Sequence, residues 1–178
     1  MREDCQGCGA TICDGTHSKS RFDGRETASR VPIARQSETY DGPTMTLNDA
    51  EQPCAFARFC DVGGKIWSLI ESADEPETRA LVVREVMHCP AGRLVLHDKR
   101  THKETEDPLP PSIGVVEDPA LGRSGPLWVR GGIIIESPDG TPYEARNRVT
   151  LCRCGASVNQ PFCNGSHASI KFNDGLVE

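Results

Sequence analysis

The sequence predicts an α+β fold, and three observations carry that prediction. One helix-patterned stretch, residues 75–89, stands among several strand-length ones. The chain is lean in apolar residues and rich in turn formers, with 37% hydrophobic and 5% aromatic residues against 17 glycines and 13 prolines, which favours short strands and many turns. Its nine cysteines fall into three groups of three, and a lean, loop-rich chain of 178 residues is the kind that needs disulfide or metal staples.

Taken in order, residues 1–25 form a glycine-rich, cysteine-bearing head. Residues 26–43 are polar, and VPIARQSETYDGP reads as a connecting segment with one short strand. Residues 44–98 follow the order β–turn–β–α–β, with cysteines at the joints. TMTLND alternates as a half-buried strand does. AFARFC, after Cys54, reads as a short helical turn and KIWSLI as a short apolar strand. EPETRALVVREVMHC opens with Pro76 and acidic residues at the positive end of a helix and places Ala80, Val83, Val86 and Met87 on one face. It stops at Cys89-Pro90, because proline cannot continue a helix. RLVLHD then returns as a strand. The charged, proline-rich first half of residues 99–126 reads as loop. LWVRGGIIIES and EARNRVTL, joined through Asp139-Gly140, read as a hairpin whose second strand runs directly into Cys152.

Composition excludes several classes. A formal net charge of -6 argues against a nucleic-acid surface, which carries clustered Lys and Arg. No apolar run approaches the roughly 18 residues of a membrane span. The opening MREDCQGCGA lacks the apolar core of a secretory signal, so a soluble, cytoplasmic protein is expected. No phosphate loop, nucleophile elbow or paired-acid signature suggests an enzyme.

An odd number of cysteines does not close a disulfide framework, and in a reducing compartment clustered cysteines read as metal ligands. The carboxyl-terminal group is Cys152, Cys154, Cys163 and His167, in CRCGASVNQPFCNGSH. Thiolates favour zinc, copper(I) or iron–sulfur iron, and Gly165 permits a sharp turn between Cys163 and His167. Asn164 and Ser166 can supply hydrogen bonds to the sulfurs. Spacing alone leaves a zinc knuckle and a disulfide pair open. The head group, Cys5, Cys8, Cys13 and His17 in CQGCGATICDGTH, is a shortened copy. Both motifs continue through a short polar stretch with a basic residue to Phe and then Gly, so the chain carries an internal repeat. The middle group is Cys54, Cys60 and Cys89. Three thiols can be ligands or ordinary small buried residues.

CRCGASVNQPFCNGSH resembles the CDGSH iron–sulfur motif at every fixed position, through Ser157 and Pro161, except that Asn164 replaces the Asp. The resemblance implies a [2Fe–2S] cluster with Cys152 and Cys154 on one iron and Cys163 and His167 on the other. The His ligand couples redox change to protonation. The head keeps CDGTH but has Cys-x2-Cys for Cys-x-Cys and lacks the proline-bearing loop. Its resemblance implies a second [2Fe–2S] cluster, with zinc or an empty site as alternatives. Two-motif members of the family pack their motifs as a pseudo-dimer, which implies a monomer with small β-rich modules at both chain ends. Residues 44–98 resemble the divergent mono-cluster ferredoxin domain that accompanies such motifs in bacterial proteins, which implies one [3Fe–4S] or [4Fe–4S] cluster on Cys54, Cys60 and Cys89. Ala57 stands where ferredoxins place a further cysteine, and Phe56 where this family often has a histidine; His88 is a conceivable substitute, although a histidine at a helix end is ordinarily a surface residue. The expected domains are therefore 1–25, 44–98 and 126–178.

The function expected is electron transfer through up to three clusters, with the cysteines and histidines as ligands rather than catalytic groups. The partners expected are redox proteins or apo-protein cluster acceptors. A cluster-transfer or redox- and pH-sensing protein is the second reading and a zinc-stapled structural module the third.

Overall fold

The computed structural model describes residues 26–176. It contains two antiparallel sheets, each with its own core, and short helices, in keeping with the α+β class. The first sheet has the order β1 (Glu38–Asp41), β2 (Met45–Asp49), β3 (Leu94–Asp98) and β4 (Lys103–Glu104). Alternation sets its register: Met45, Leu47 and Asp49 of β2 are buried, and Leu47 lies opposite Leu96 of β3. Met45, Leu47, Leu94 and Leu96 meet Val82 and Val86 of a helix in the first core.

That helix is α2 (Pro76–His88), with Pro76 in its first turn and Glu77 near its positive end. Val86 is buried, and Val83 and Met87 pack on the same core as expected, but Ala80 is exposed and Val82 and Glu85 are buried instead, so the inward face is shifted towards Val82 and Glu85. Two other expectations are corrected. KIWSLI is not a strand: Ile66–Leu69 forms a helix, α1, continued by a 3-10 turn at Ile70–Ser72. A strand would place Ser68 on the same face as Ile66 and Ile70, whereas the helix buries both isoleucines and leaves Ser68 exposed. AFARFC is not helical at its start, because Phe56 (φ 62°) and Arg58 (φ 60°) are left-handed; only Phe59–Asp61 forms a 3-10 turn. The order of this region is β–α–α–β.

The second sheet has the order β5 (Ser112–Asp118), β6 (Arg123–Arg130) and β7 (Arg148–Leu151). The expected hairpin is real in that β6 pairs with β7, but β6 begins earlier and stops at Arg130. Gly131 and Gly132 end it with φ of +76° and +71°, and a Cβ on Gly131 would lie 2.4 Å from the Pro111 nitrogen. Residues 133–136 therefore leave the sheet, except for a bridge from Glu136 to Pro142. Val129, Tyr143, Val149 and Phe162 make the second core.

One side chain joins the two bodies. Arg148, 2% exposed on β7, sends Nη1 to the carbonyls of Val86, Met87 and Cys89 at 2.7, 2.9 and 2.7 Å. Those carbonyls lie at the end of α2, where backbone closes the helix only in part, with Cys89 N–H reaching the Val86 carbonyl at 3.1 Å and Gly92 N–H reaching the Cys89 carbonyl at 3.4 Å. Glu106 balances the charge, accepting from Nε at 2.7 Å and Nη2 at 3.0 Å. Beside it, a Cβ on Gly92 would lie 2.6 Å from the Arg148 carbonyl oxygen, so the loop after Cys89 lies directly on β7. Among the described residues no helix is long and apolar enough to cross a membrane.

Arg148→Ala removes the charged donor from the helix-end carbonyls and leaves the half-buried Glu106 carboxylate with only the neutral Asn147 amide beside it. It is expected to lower stability by about 3–5 kcal/mol, read as a fall in the urea midpoint. Arg148→Lys should recover only part of the loss, because one ammonium cannot serve both Glu106 and the helix end.

Candidate metal centre

The carboxyl-terminal group is built by the strand that runs into it. A bridge between Leu151 and Phe162 closes residues 152–161 into a loop, and its neck is held by Cys152 N–H to the Pro161 carbonyl and Cys163 N–H to the Thr150 carbonyl, both 2.8 Å. Ser157 braces the inside, donating to the Phe162 carbonyl at 2.6 Å and accepting from the Asn159 N–H at 3.1 Å. Beyond Cys163 the chain turns at Gly165 (φ +83°) into a single helical turn, α3 (Ser166–Ser169), which brings His167 back to Cys163. Asn164 Oδ1 secures this turn by accepting from the Ser166 N–H at 3.2 Å and hydroxyl at 2.7 Å. The side chains of Asn164 and Ser166 are thus bonded to each other. The contact to a sulfur is made by backbone instead: the Gly165 N–H donates to Cys163 Sγ at 3.3 Å.

The four donors stand as two pairs. Cys152 Sγ lies 3.8 Å from Cys154 Sγ, and Cys163 Sγ lies 3.4 Å from His167 Nδ1. A tetrahedral site with metal–sulfur bonds of about 2.3 Å has a sulfur–sulfur edge of about 3.8 Å, and with a metal–nitrogen bond of about 2.0 Å a sulfur–nitrogen edge of about 3.5 Å. Each pair has the spacing of one such edge. Among the described residues no three His, Cys, Asp or Glu side chains converge on a single ion. Two pairs are the donor set of a two-iron cluster, so these residues fit the group the sequence implies. Arg153, between Cys152 and Cys154, turns its guanidinium away to Glu117 at 2.6 Å and to Asp174.

Burial shapes the protonation of the set. Cys152 and Cys154 share a proton, which holds Cys152 down at about 6 and raises Cys154. Burial pushes the Cys163 thiol up to about 11 and pulls His167 below its ordinary value, towards neutral imidazole. Neutral imidazole is the ligating form, whereas the cysteines must lose protons when a metal binds.

The middle group lies against this one. Cys54 follows a turn closed by its N–H to the Glu51 carbonyl at 3.1 Å, and Cys89 follows α2. Cys60 and Cys89 both pack on the first core, and burial raises the Cys60 thiol. Arg93 faces this group: its guanidinium holds Asp49 through two bonds of 2.6 Å. Burial works against the Arg93 charge, but hydrogen bonds to Asp49 and Cys54 keep its pKa above the usual value. His88 is exposed and packs edge-on to Phe59, with ring centroids 5.7 Å apart, which matches an ordinary helix-end histidine. A small buried cluster of Ala55, Ala91 and Cys163, with Cys89 against it, joins the middle group to the terminal one. A cleft of about 910 Å³ opens beside this junction, lined by Phe56, Phe59, Val115, Leu121, Trp128 and His167.

The head motif, Cys5, Cys8, Cys13 and His17, lies outside the described residues. The chain that follows it is strapped to the terminal loop: the N–H groups of Thr27 and Ala28 both reach the Gln160 carbonyl at 2.9 Å, and Thr27 Oγ1 donates to the Val158 carbonyl at 2.9 Å.

Residues 124–168 match the family model described as iron-binding zinc finger CDGSH type, and residues 40–99 match the one described as divergent 4Fe-4S mono-cluster. This is an iron–sulfur protein. Neither match reaches the head motif. No curated protein and no solved structure matches the chain.

Sequence reasoning missed the arginines that organise this iron–sulfur protein. Arg93 sits beside the middle thiols, and Arg146 reaches the Ala91 carbonyl at 3.3 Å and stacks over Phe162 at 5.1 Å. No local pattern marks either one, because their partners lie far away along the chain.

His167 gives a pH prediction for the iron-depleted chain. Its folded pKa is depressed, so between that value and the ordinary 6.5 the unfolded state binds more protons and stability rises with pH. The contribution is present above 6.5 and lost as pH falls below it. NMR titration should place His167 below the ordinary histidine value, and a midpoint at or above 6.5 would contradict the half-buried setting of the imidazole.

Proposed function

We propose that this protein is an electron carrier whose cysteines and histidines hold clusters rather than perform acid–base or nucleophilic chemistry. Cys152, Cys154, Cys163 and His167 hold a [2Fe–2S] cluster, and Cys54, Cys60 and Cys89 hold a [3Fe–4S] or [4Fe–4S] cluster. The head residues Cys5, Cys8, Cys13 and His17 hold a second [2Fe–2S] cluster. Bound clusters of this kind supply reversible one-electron chemistry. The observation that carries the reading is the pairing of donors at 3.8 and 3.4 Å, each the edge of a tetrahedral iron site.

The protein's own residues do the rest. Cys163 is 2% exposed and Cys154 5%, so the thiol side of the set is dry. His167 lines the open cleft, which gives a redox partner protein access to the ligand that can take a proton. The Gly165 amide, Arg93 and Arg146 place positive dipole or charge around the sulfurs, which favours the electron-rich state. The strap at residues 27–28 supports a monomer in which the head packs beside the terminal motif as a pseudo-dimer, because it delivers the chain from the head to residues 158–160. A reducing, cytoplasmic setting suits nine cysteines used this way.

The access of His167 to the cleft also favours a second reading, transfer of the cluster to an apo-protein, since protonation of that ligand weakens its hold. Mixing holo protein with an apo-ferredoxin separates the two. Electron transfer without loss of iron supports the carrier, and rapid stoichiometric movement of iron and sulfide at mildly acid pH overturns it.

Electron paramagnetic resonance as isolated and after reduction, with iron and acid-labile sulfide counts, tests the cluster inventory. His167→Cys is expected to lower the potential of one [2Fe–2S] cluster by on the order of 100 mV and to remove a pH-dependent step from its redox titration. An unchanged pH profile would show that His167 is not a ligand.

A further inference from the structure

We propose that the loops bearing Cys54, Cys89 and Cys163 are built as one shared wall, so that the middle and terminal ligand sets form a single coupled redox unit rather than two independent centres. The proposal rests on the reading that both sets hold iron–sulfur clusters. Its basis is direct contact between the sets. Cys163, Ala55 and Ala91 form one buried cluster, exposed by 2%, 6% and 1%, and Cys89 packs against it. The residues between the sets are the smallest available. A Cβ on Gly165 would lie 2.9 Å from Phe56 Cβ and 3.3 Å from the Cys54 carbonyl oxygen, so the turn that positions His167 lies against the backbone carrying Cys54. Phe56 fills the space beside this turn and leaves no room for a side chain at residue 165.

The wall is also fastened from both sides. Arg148 draws the Cys89 carbonyl to 2.7 Å, and Arg146 reaches the Ala91 carbonyl at 3.3 Å, both from the strand and turn that lead into Cys152. On the other side Asn159 Nδ2 donates to the Gln52 carbonyl at 3.3 Å, two residues before Cys54. Loops that served separate centres would need none of these ties. With them, the distance between the sets is fixed by packed backbone, and each set lies inside the low-dielectric surroundings of the other, where charge is poorly screened. Two consequences follow: unpaired spins at one set act on spins at the other, and the redox state of one alters the potential of the other.

The test is electron paramagnetic resonance of the holo protein with the terminal set reduced, poised at two potentials between which the middle set changes spin state, from diamagnetic to paramagnetic for a [4Fe–4S] cluster or from a lower to a higher spin for a [3Fe–4S] cluster. The [2Fe–2S] signal of the terminal set should split or broaden in the second state, and its half-saturation power should rise several-fold. Cys54→Ser and, independently, Cys89→Ser remove the middle centre and should return the signal to its narrow, slowly relaxing form. This comparison separates the middle set from any effect of the head motif, and the potential-poised comparison needs no variant to fold. If both clusters are present by iron and sulfide count but the terminal signal is identical in both states and in both variants, the shared wall is refuted while the electron-carrier reading stands. If neither cluster signal is found, both fall.

Discussion

The structure depends on Arg148. A guanidinium 2% exposed, holding three helix-end carbonyls and a carboxylate, is a costly thing to bury, and such groups persist when the geometry is close to ideal. Here one residue satisfies the carboxyl end of α2, locks the loop that carries Cys89, and anchors the strand that carries Cys152. Its donors run in a fixed fork, which a lysine could not reproduce. The two sheets have separate main cores joined through the small cluster of Ala55, Ala91 and Cys163, and the directional, charged contact of Arg148 adds to that burial a preference for one relative position.

The donor sets gain their character from what surrounds them. The neighbouring Cys152 and burial disfavour a lone thiolate at Cys154, and burial does so at Cys163 and, in part, at Cys60, so their negative charge is tolerable only when shared with metal or met by nearby cations and amides. Arg93 meets the middle set and the Gly165 amide meets Cys163. Asp49 in turn orients Arg93, with Trp67 Nε1 donating to the same carboxylate at 2.8 Å. The polar residues behind the cysteines therefore determine what charge the cysteines can carry.

Much of this was legible in the sequence, because ligands and regular elements are local patterns. The spacing of Cys152, Cys154, Cys163 and His167, the alternation of Met45 and Leu47, and the proline-to-proline span of α2 each declare themselves within a dozen or so residues. The helix at Ile66–Leu69 did not, since three apolar residues around one serine fit a strand or a helix equally until Ser68 is seen to face outward. The strand β5 was hidden behind a proline-rich run. The turn at Gly165 was expected, but the contacts of Arg148 and Arg146 and the packing of Gly165 against the Cys54 loop were invisible for a stronger reason. Their meaning lies in partners about 55 to 110 residues distant, at Ala91, Cys89 and Cys54, and no pattern in one sequence records such a meeting.

The strap from Thr27 and Ala28 to Gln160 has a consequence for how the protein is made. The ribosome delivers the chain from its amino end, so residues 27 and 28 emerge some 130 residues before the loop that receives them, and Cys54 and Cys89 emerge well before Cys163 covers them. Contacts of such long range close late. Until residues 163–167 have left the ribosome, the early cysteines stand without their lid. Iron delivered during translation would meet an open, incomplete set of thiols. The full set of thiols comes together only once residues 152–167 have emerged, and the early thiols must stay reduced in the interval.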